Sequence, residues 1–371
     1  MKFIPVAEPA FVGNEKKYVV DCMDSTWISS KGQYIDRFEE AFASFLNVKH
    51  AITCCNGTVA LHLALMALGV KPRDEILVPT FTYVASANSV LYCGARPIFV
   101  DCESDTWNMD PSLIEDLVTE QTKGILPVHM YGHPVDMDPV LKIAEKYGLF
   151  VLEDAAEAHG ATYKNRPVGT IGDIATFSFF GNKIITTGEG GMVVTNNDKL
   201  AGTVRKLKGQ GLDASRGNYW HDVVGYNYRM TNLAASIGLA QIEKIDWHLA
   251  RRRQISSQYA ARLKHVPDLY FQHEKSWARN AFWMISLFLG PKWQVSRDSV
   301  IEQLAKRGIE TRPFFFPMHC LPIHHDNVGT RSFPIADRIS ARGINLPSSA
   351  KLTEEEIDLV CEALEKSLLI E

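Results

Sequence analysis

The residues with the most chemical potential lie in one run, Phe177-Ser178-Phe179-Phe180-Gly181-Asn182-Lys183-Ile184-Ile185-Thr186-Thr187-Gly188-Glu189-Gly190-Gly191. Lys183 follows an aromatic stretch and precedes a glycine-rich turn. A lysine so placed is partly desolvated. Desolvation favours the neutral amine, which can attack a carbonyl and form a Schiff base. Standing alone it would be an ordinary loop lysine, but three other features accompany it. Asn56-Gly57-Thr58 precedes a helical stretch. Unpaired N–H groups at a helix start, with a glycine that permits close approach, form a cradle for an anion. Ser178 can add a hydroxyl, although the same residues would also serve as a simple helix cap. Glu153-Asp154-Ala155-Ala156 closes an apolar run. A buried aspartate there needs a positive or proton-sharing partner, such as a pyridinium nitrogen, unless it only caps the next turn. Pro79-Thr80-Phe81-Thr82-Tyr83 closes another run, and an aromatic at that place can stack on a planar ring or pack in the core.

These groups have to be positioned by the elements between them. Short apolar runs alternate with amphipathic stretches: strands at 50–53, 75–78, 97–100, 124–128 and 150–152, and helices at 58–68, 84–92, 112–118 and 139–147. Such alternation predicts an α/β protein with a mostly parallel sheet flanked by helices, whose ligands gather beyond the carboxyl ends of the strands. Strands at 174–179 and 191–195 finish the sheet. Thr231 or Asn232 is expected to cap one long helix over 231–254, whose Arg251-Arg252-Arg253 run reads as a solvated helix end opposing the macrodipole. Residues 1–250 are expected to form a large domain with an N-terminal substrate segment. Residues 251–371 are expected to form a smaller α+β domain, with strands near 281–289 and helices at 299–306 and 353–368.

Composition narrows the function classes. The 371 residues carry 39 Lys+Arg against 43 Asp+Glu, a formal net charge of −4, so bulk attraction to nucleic acid or a membrane surface is excluded. With 46% hydrophobic and 22% charged residues, the chain is globular rather than disordered. Its seven cysteines form no CxxC pair, so neither a disulfide framework nor a metal centre is expected. No stretch of about 18 apolar residues occurs, and the first residues lack the apolar centre of a signal peptide. A reducing, cytoplasmic location is expected. No GxGxxG follows the first strand, which argues against a nicotinamide-binding fold.

Lysine, aspartate, aromatic and phosphate cradle together are what pyridoxal phosphate requires. The sequence resembles the sugar aminotransferases of the DegT/DnrJ/EryC family, of the aspartate-aminotransferase fold (fold type I). The likeness runs through 25–30, 56–58, 153–157, the Lys183 run, 225–232 and 343–348. It implies that Lys183 bonds the cofactor, that Asp154 partners the pyridine nitrogen, that Tyr83 covers the ring and that Ala156 packs behind it. It implies further that Gly57, Thr58 and Ser178 bind the phosphate, and that Asn227 reaches it from a neighbouring subunit. A homodimer with shared active sites, or a pair of such dimers, is therefore expected. Glu157 stands where much of the family has glutamine. A related dehydratase branch has histidine in place of Lys183, so lysine favours transamination.

Within the family the likeness is nearest to the branch that aminates GDP-4-keto-6-deoxy-D-mannose with L-glutamate, giving GDP-perosamine and 2-oxoglutarate through pyridoxamine phosphate. The product would feed a surface glycan such as O-antigen. The resemblance places Trp27, Ser29 and Ser30 at the sugar-nucleotide entrance. An acidic protein must meet a pyrophosphate and carboxylates with local cations, and the candidates are Arg229, Arg312 and His319. Open alternatives are a UDP- or dTDP-linked keto-sugar and a non-catalytic regulator that binds pyridoxal phosphate.

Overall fold

A computed structural model describes residues 3–217 and 219–369. Seven strands form the large sheet, in the order His50–Cys54, Gly191–Thr195, Ile174–Ser178, Phe150–Asp154, Thr122–Ile125, Glu75–Pro79 and Arg96–Val100. Gly191–Thr195 runs antiparallel to both of its neighbours, and the other pairings are parallel. This is the mixed, mostly parallel α/β sheet expected. Its strands are buried along nearly their whole length, and consecutive residues feed opposite cores. Ile76, Val78, Phe99 and Leu152 join one core, and Leu77, Ile98, Val100 and Val151 the other. In the first, Phe38 and Phe42 pack edge-on against Phe177 and Phe179 at 5.0–5.4 Å and seat the strand that leads to Lys183.

The C-terminal domain centres on a four-stranded antiparallel sheet, in the order Leu269–Phe271, Ile285–Leu289, Gly343–Leu346 and Arg312–Pro313. Helix Arg297–Lys306 packs on it, and helix Glu354–Leu368 shares its core. Ser296 caps the first, and Thr353 with Glu356 forms a capping box on the second. Residues from the start of the chain belong here as well. Ile4 lies in this core and exchanges backbone hydrogen bonds with Gly308 and Glu310, while Val6 N–H donates to Glu310 Oε2 and its carbonyl accepts from Ser348 N–H.

Three expectations need correction. Residues 112–118 form two short 3-10 turns, Pro111–Leu113 and Glu115–Leu117, rather than an α-helix. Asp110 caps the first turn, and Val118 is already extended, which leaves too few residues for a stable helix. The helix expected over 231–254 is two helices, Asn232–Ile242 and Ile245–Leu263, divided at Glu243-Lys244, with Thr231 as the N-cap of the first. The arginine run is therefore not a helix end. It sits in the middle of the second helix, where Arg252 is only 4% exposed and Arg251 donates to the Ala350 and Leu352 carbonyls. Among the described residues, no helix is long and apolar enough to cross a membrane.

Candidate active site

A cavity of about 440 Å³ opens at the carboxyl ends of the parallel strands and extends to the C-terminal domain. Asn56 caps the helix Gly57–Ala67 by accepting from Val59 N–H at 2.9 Å, so the first turn presents its amides at the cavity wall. Gly57 lies tight against the end of the strand Ile174–Ser178: a methyl in place of its hydrogen would sit 2.8 Å from Ser178 Cβ. Glycine here brings the helix start and the Ser178 hydroxyl to one place, and the cradle they form suits a phosphate.

Alternation along Phe150–Asp154 sends two adjacent carboxylates to opposite faces. Glu153 turns away from the cavity, accepts from the amides of Gly169, Ile171 and Gly172, and contacts His129 Nε2 at 3.1 Å. Asp154 faces the cavity. Its Oδ2 accepts from Ser86 Oγ at 2.8 Å and its Oδ1 from Ala156 N–H at 3.1 Å. Burial raises its pKa above the ordinary aspartate value, so it gains from a cationic partner in the cavity.

Lys183 lies at the centre. Its Nζ is 3.7 Å from Glu157 Oε1 and 3.7 Å from the centre of the Trp283 ring. Burial holds its amine below the usual lysine range, against the pull of Glu157 and Asp154. Glu157 is fixed by Tyr131 N–H, which donates to its Oε2 at 2.8 Å, and burial pushes its carboxyl up to about 7. A lysine amine whose burial favours its neutral form, beside carboxyl groups able to take or share a proton, is equipped for Schiff-base and proton-transfer chemistry. Tyr83 and Ala156 also line the cavity, and Tyr83 stands 5.6 Å from Phe315. Among the described lining residues the cations are Lys183 and Arg312.

A model of the DegT/DnrJ/EryC1/StrS aminotransferase family matches residues 10–365. The chain belongs to that family. It is 52% identical to a GDP-perosamine synthase of Caulobacter vibrioides over 367 residues, 99% of this chain and 98% of the relative. It is 50% identical to a GDP-perosamine synthase of Escherichia coli O157:H7 over 365 residues, 98% of each chain. Among solved structures, Helicobacter pylori PseC, an aminotransferase of pseudoaminic acid biosynthesis, superposes with a TM-score of 0.93 at 28% identity over 99% of both chains.

In this aminotransferase the cavity gathers Gly57, Thr58, Tyr83, Asp154, Ala156, Glu157, Ser178, Lys183 and Arg312. The other candidates lie elsewhere. Asn227 is on the surface, its Oδ1 accepting from the Arg229 guanidinium at 2.9 Å. Arg229 lines a neighbouring groove with Thr187 and Met230, and Glu189 lines both that groove and the cavity. Trp27 is 56% exposed, and the carbonyls of Trp27 and Ser29 accept from Asn232, which ties the Trp27–Ser30 segment to the helix Asn232–Ile242 outside the cavity. His319 is away from it too. Its ring stacks on Phe333 at 4.3 Å, Nδ1 meets Thr80 Oγ1 at 2.7 Å and Nε2 meets Asp337 at 2.9 Å.

Sequence reasoning missed Ser86, Glu189, Trp283 and Asn345 in the cavity wall. Ser86 sits in the first turn after Tyr83, where a hydroxyl looks like ordinary helix sequence. Asn345 interrupts an apolar strand, and its Oδ1 accepts from Ser286 Oγ at 2.6 Å. A lone amide in such a strand was a usable signal. Trp283 comes from the C-terminal domain, and nothing local to its sequence points to the cavity.

Proposed function

We propose that this aminotransferase transfers the amino group of L-glutamate to the C4 ketone of GDP-4-keto-6-deoxy-D-mannose, giving GDP-perosamine and 2-oxoglutarate. The observation that carries this reading is identity of 52% and 50%, along essentially the whole chain, to two proteins named GDP-perosamine synthase. Pyridoxal phosphate, when bound, supplies the electron sink that lets an amino acid lose its Cα proton, and it carries the amino group from one substrate to the other. The residues in the cavity suit it. The amides of Gly57 and Thr58 and the Ser178 hydroxyl would hold the phosphate. Asp154, oriented by Ser86 and the Ala156 amide, would keep the ring nitrogen protonated. Tyr83 and Ala156 would enclose the ring. Lys183 would anchor the cofactor and then, as a free amine, take the proton from Cα and return it elsewhere. Burial lowers its pKa from the ordinary lysine value, which favours the free-base form this role needs. Arg312, the second cation of the cavity wall, would receive a glutamate carboxylate.

The active unit in this reading is a homodimer, and two dimers can pair as a tetramer. Asn227 and Arg229 are exposed and lie off the cavity of their own chain, which supports their serving a neighbouring copy's site. Trp27, Ser29 and Ser30 would border the same entrance, and His319 drops out of the substrate set. The reaction would take place in the cytoplasm.

The test is a paired assay on purified protein with added pyridoxal phosphate. L-Glutamate should bleach the visible band of the bound cofactor. GDP-4-keto-6-deoxymannose should restore it and yield a product with an equatorial 4-amino group by NMR. Turnover with UDP- or dTDP-linked keto-sugars and none with the GDP sugar would overturn the substrate and leave the aminotransferase intact.

A further inference from the structure

Arg252 lies at the middle of the helix Ile245–Leu263 and is buried. No described carboxylate pairs with it, and burial alone pulls its pKa down, to about 10. A buried, unpaired cation is unfavourable unless its donors are well used. Here the two terminal nitrogens are spent on three carbonyls from three separate segments, while Nε has no partner among the described residues. One terminal nitrogen donates to Trp283 O at 2.7 Å and to Ser348 O at 3.1 Å, and the other to Lys183 O at 3.4 Å. The Trp283 indole N–H in turn donates to Asn182 O at 2.8 Å, and its ring face lies 3.7 Å from Lys183 Nζ. The contacts close a ring. Arg252 holds the backbones of Lys183 and Trp283, and Trp283 holds the residue before Lys183 and faces its amine.

We propose that Arg252 is a positioning residue that, through Trp283, gives the Lys183 amine a fixed resting place whenever it is not bonded to the cofactor. An amine that has been displaced must return within reach of the Cα proton. A four-carbon side chain left free would sample many rotamers, and small misplacements of a reacting group are expensive in rate. The indole face attracts the amine in its charged form, and the tether keeps face and amine in register. The groups facing Lys183 are Glu157 and Asp154, with Arg312 and His159 within electrostatic reach, and none of them restrains its backbone. The inference rests on the aminotransferase reading and is independent of which sugar is the acceptor.

The experiment uses Arg252→Met, Arg252→Lys and Trp283→Phe in the full chain. One readout is the rate at which the visible band forms when pyridoxal phosphate is added to stripped protein. The other is the half reaction with L-glutamate alone. Arg252→Met should slow both about 10–100-fold, with the glutamate KM within about twofold of wild type. Arg252→Lys, which keeps a charge and fewer donors, should recover part of the loss. Trp283→Phe keeps an aromatic face, loses the link to Asn182, and should show the same kcat-only defect. A folded Arg252→Met protein with wild-type band formation and half-reaction rate would overturn the proposal. If Arg252→Met fails to fold, Trp283→Phe decides, and wild-type rates there would also overturn it. Absence of a visible band in the unsubstituted protein would instead defeat the functional reading.

Discussion

Gly57→Ala separates the role of the phosphate cradle from the stability of the fold. Gly57 is the first residue of its helix and is not in the left-handed region, so its backbone does not require glycine. The constraint is space. An added methyl would lie 2.8 Å from Ser178 Cβ and 3.1 Å from Ser178 Oγ, well inside the ~3.5–4.0 Å at which carbons pack. Alanine favours a helix over glycine by up to ~1 kcal/mol, and overpacking costs ~1–3 kcal/mol. Ser178 is paired with Gly191 in the sheet, so the helix start is the part that gives way. It moves off the strand and spreads the donors that would bind the phosphate. If the overpacking cost falls on cofactor binding, the Kd for pyridoxal phosphate rises ~5–150-fold. The stripped protein, helped by the better helix former, should melt within a few degrees of wild type. The assay is fluorescence titration of stripped protein, with thermal unfolding of the same samples. In a Ser178→Gly background, where the crowded atom is gone, the added cost of Gly57→Ala should fall by more than half. A single variant that binds the cofactor within twofold of wild type would refute the reasoning.

Three further outcomes follow from the site. Glu157 has a folded pKa of about 7 against an ordinary 4.5, so the stability tied to its protonated form is complete below about 4.5 and is lost as pH rises through 7. Stripped Glu157→Gln should therefore melt with wild type near pH 5 and at least ~2 °C above it at pH 8, and a difference that does not vary with pH would sink the argument. Arg312→Ala should raise the KM for L-glutamate at least ~10-fold through loss of a charged hydrogen bond, and an unchanged KM in initial-rate kinetics would remove Arg312 from the substrate set. His319→Ala removes ring stacking on Phe333 and contacts to Thr80 and Asp337. It should lower stability by ~1–3 kcal/mol in urea unfolding and leave both substrate KM values alone.

What could be read from the sequence was local. Phe150–Asp154 announces itself as five residues of strand with carboxylates at its carboxyl end, and the aromatic stretch before Lys183 places that lysine at the end of the next strand. Those two ends, with the capped helix at Gly57, supply about half of the cavity wall because parallel strands deliver their ends to one edge. Long-range packing was not legible. The Arg251-Arg252-Arg253 run has the composition of a solvated face, yet Arg252 is buried because three distant carbonyls converge on it. Trp283 and Asn345 reach the cavity from another domain. The break at Glu243-Lys244 has no glycine or proline to mark it, and residues 112–118 carry helical periodicity over a span too short to nucleate a helix.

The anchoring of residues 4–6 in the C-terminal domain bears on the order in which the protein can be built. Val6 meets Glu310, a residue synthesised 304 positions later. At ~5–20 residues per second, a nascent chain carries that segment without its partner for about 15–60 s. The sheet that surrounds Lys183 can close during the wait, but the domain that supplies Trp283 and Arg312 cannot. Until Trp283 and Arg312 have been made, one wall of the cavity around the lysine is missing. A fusion that hinders residues 4–6 from docking would remove the contacts of Ile4 and Val6 with Gly308, Glu310 and Ser348 and so loosen the domain that supplies that wall.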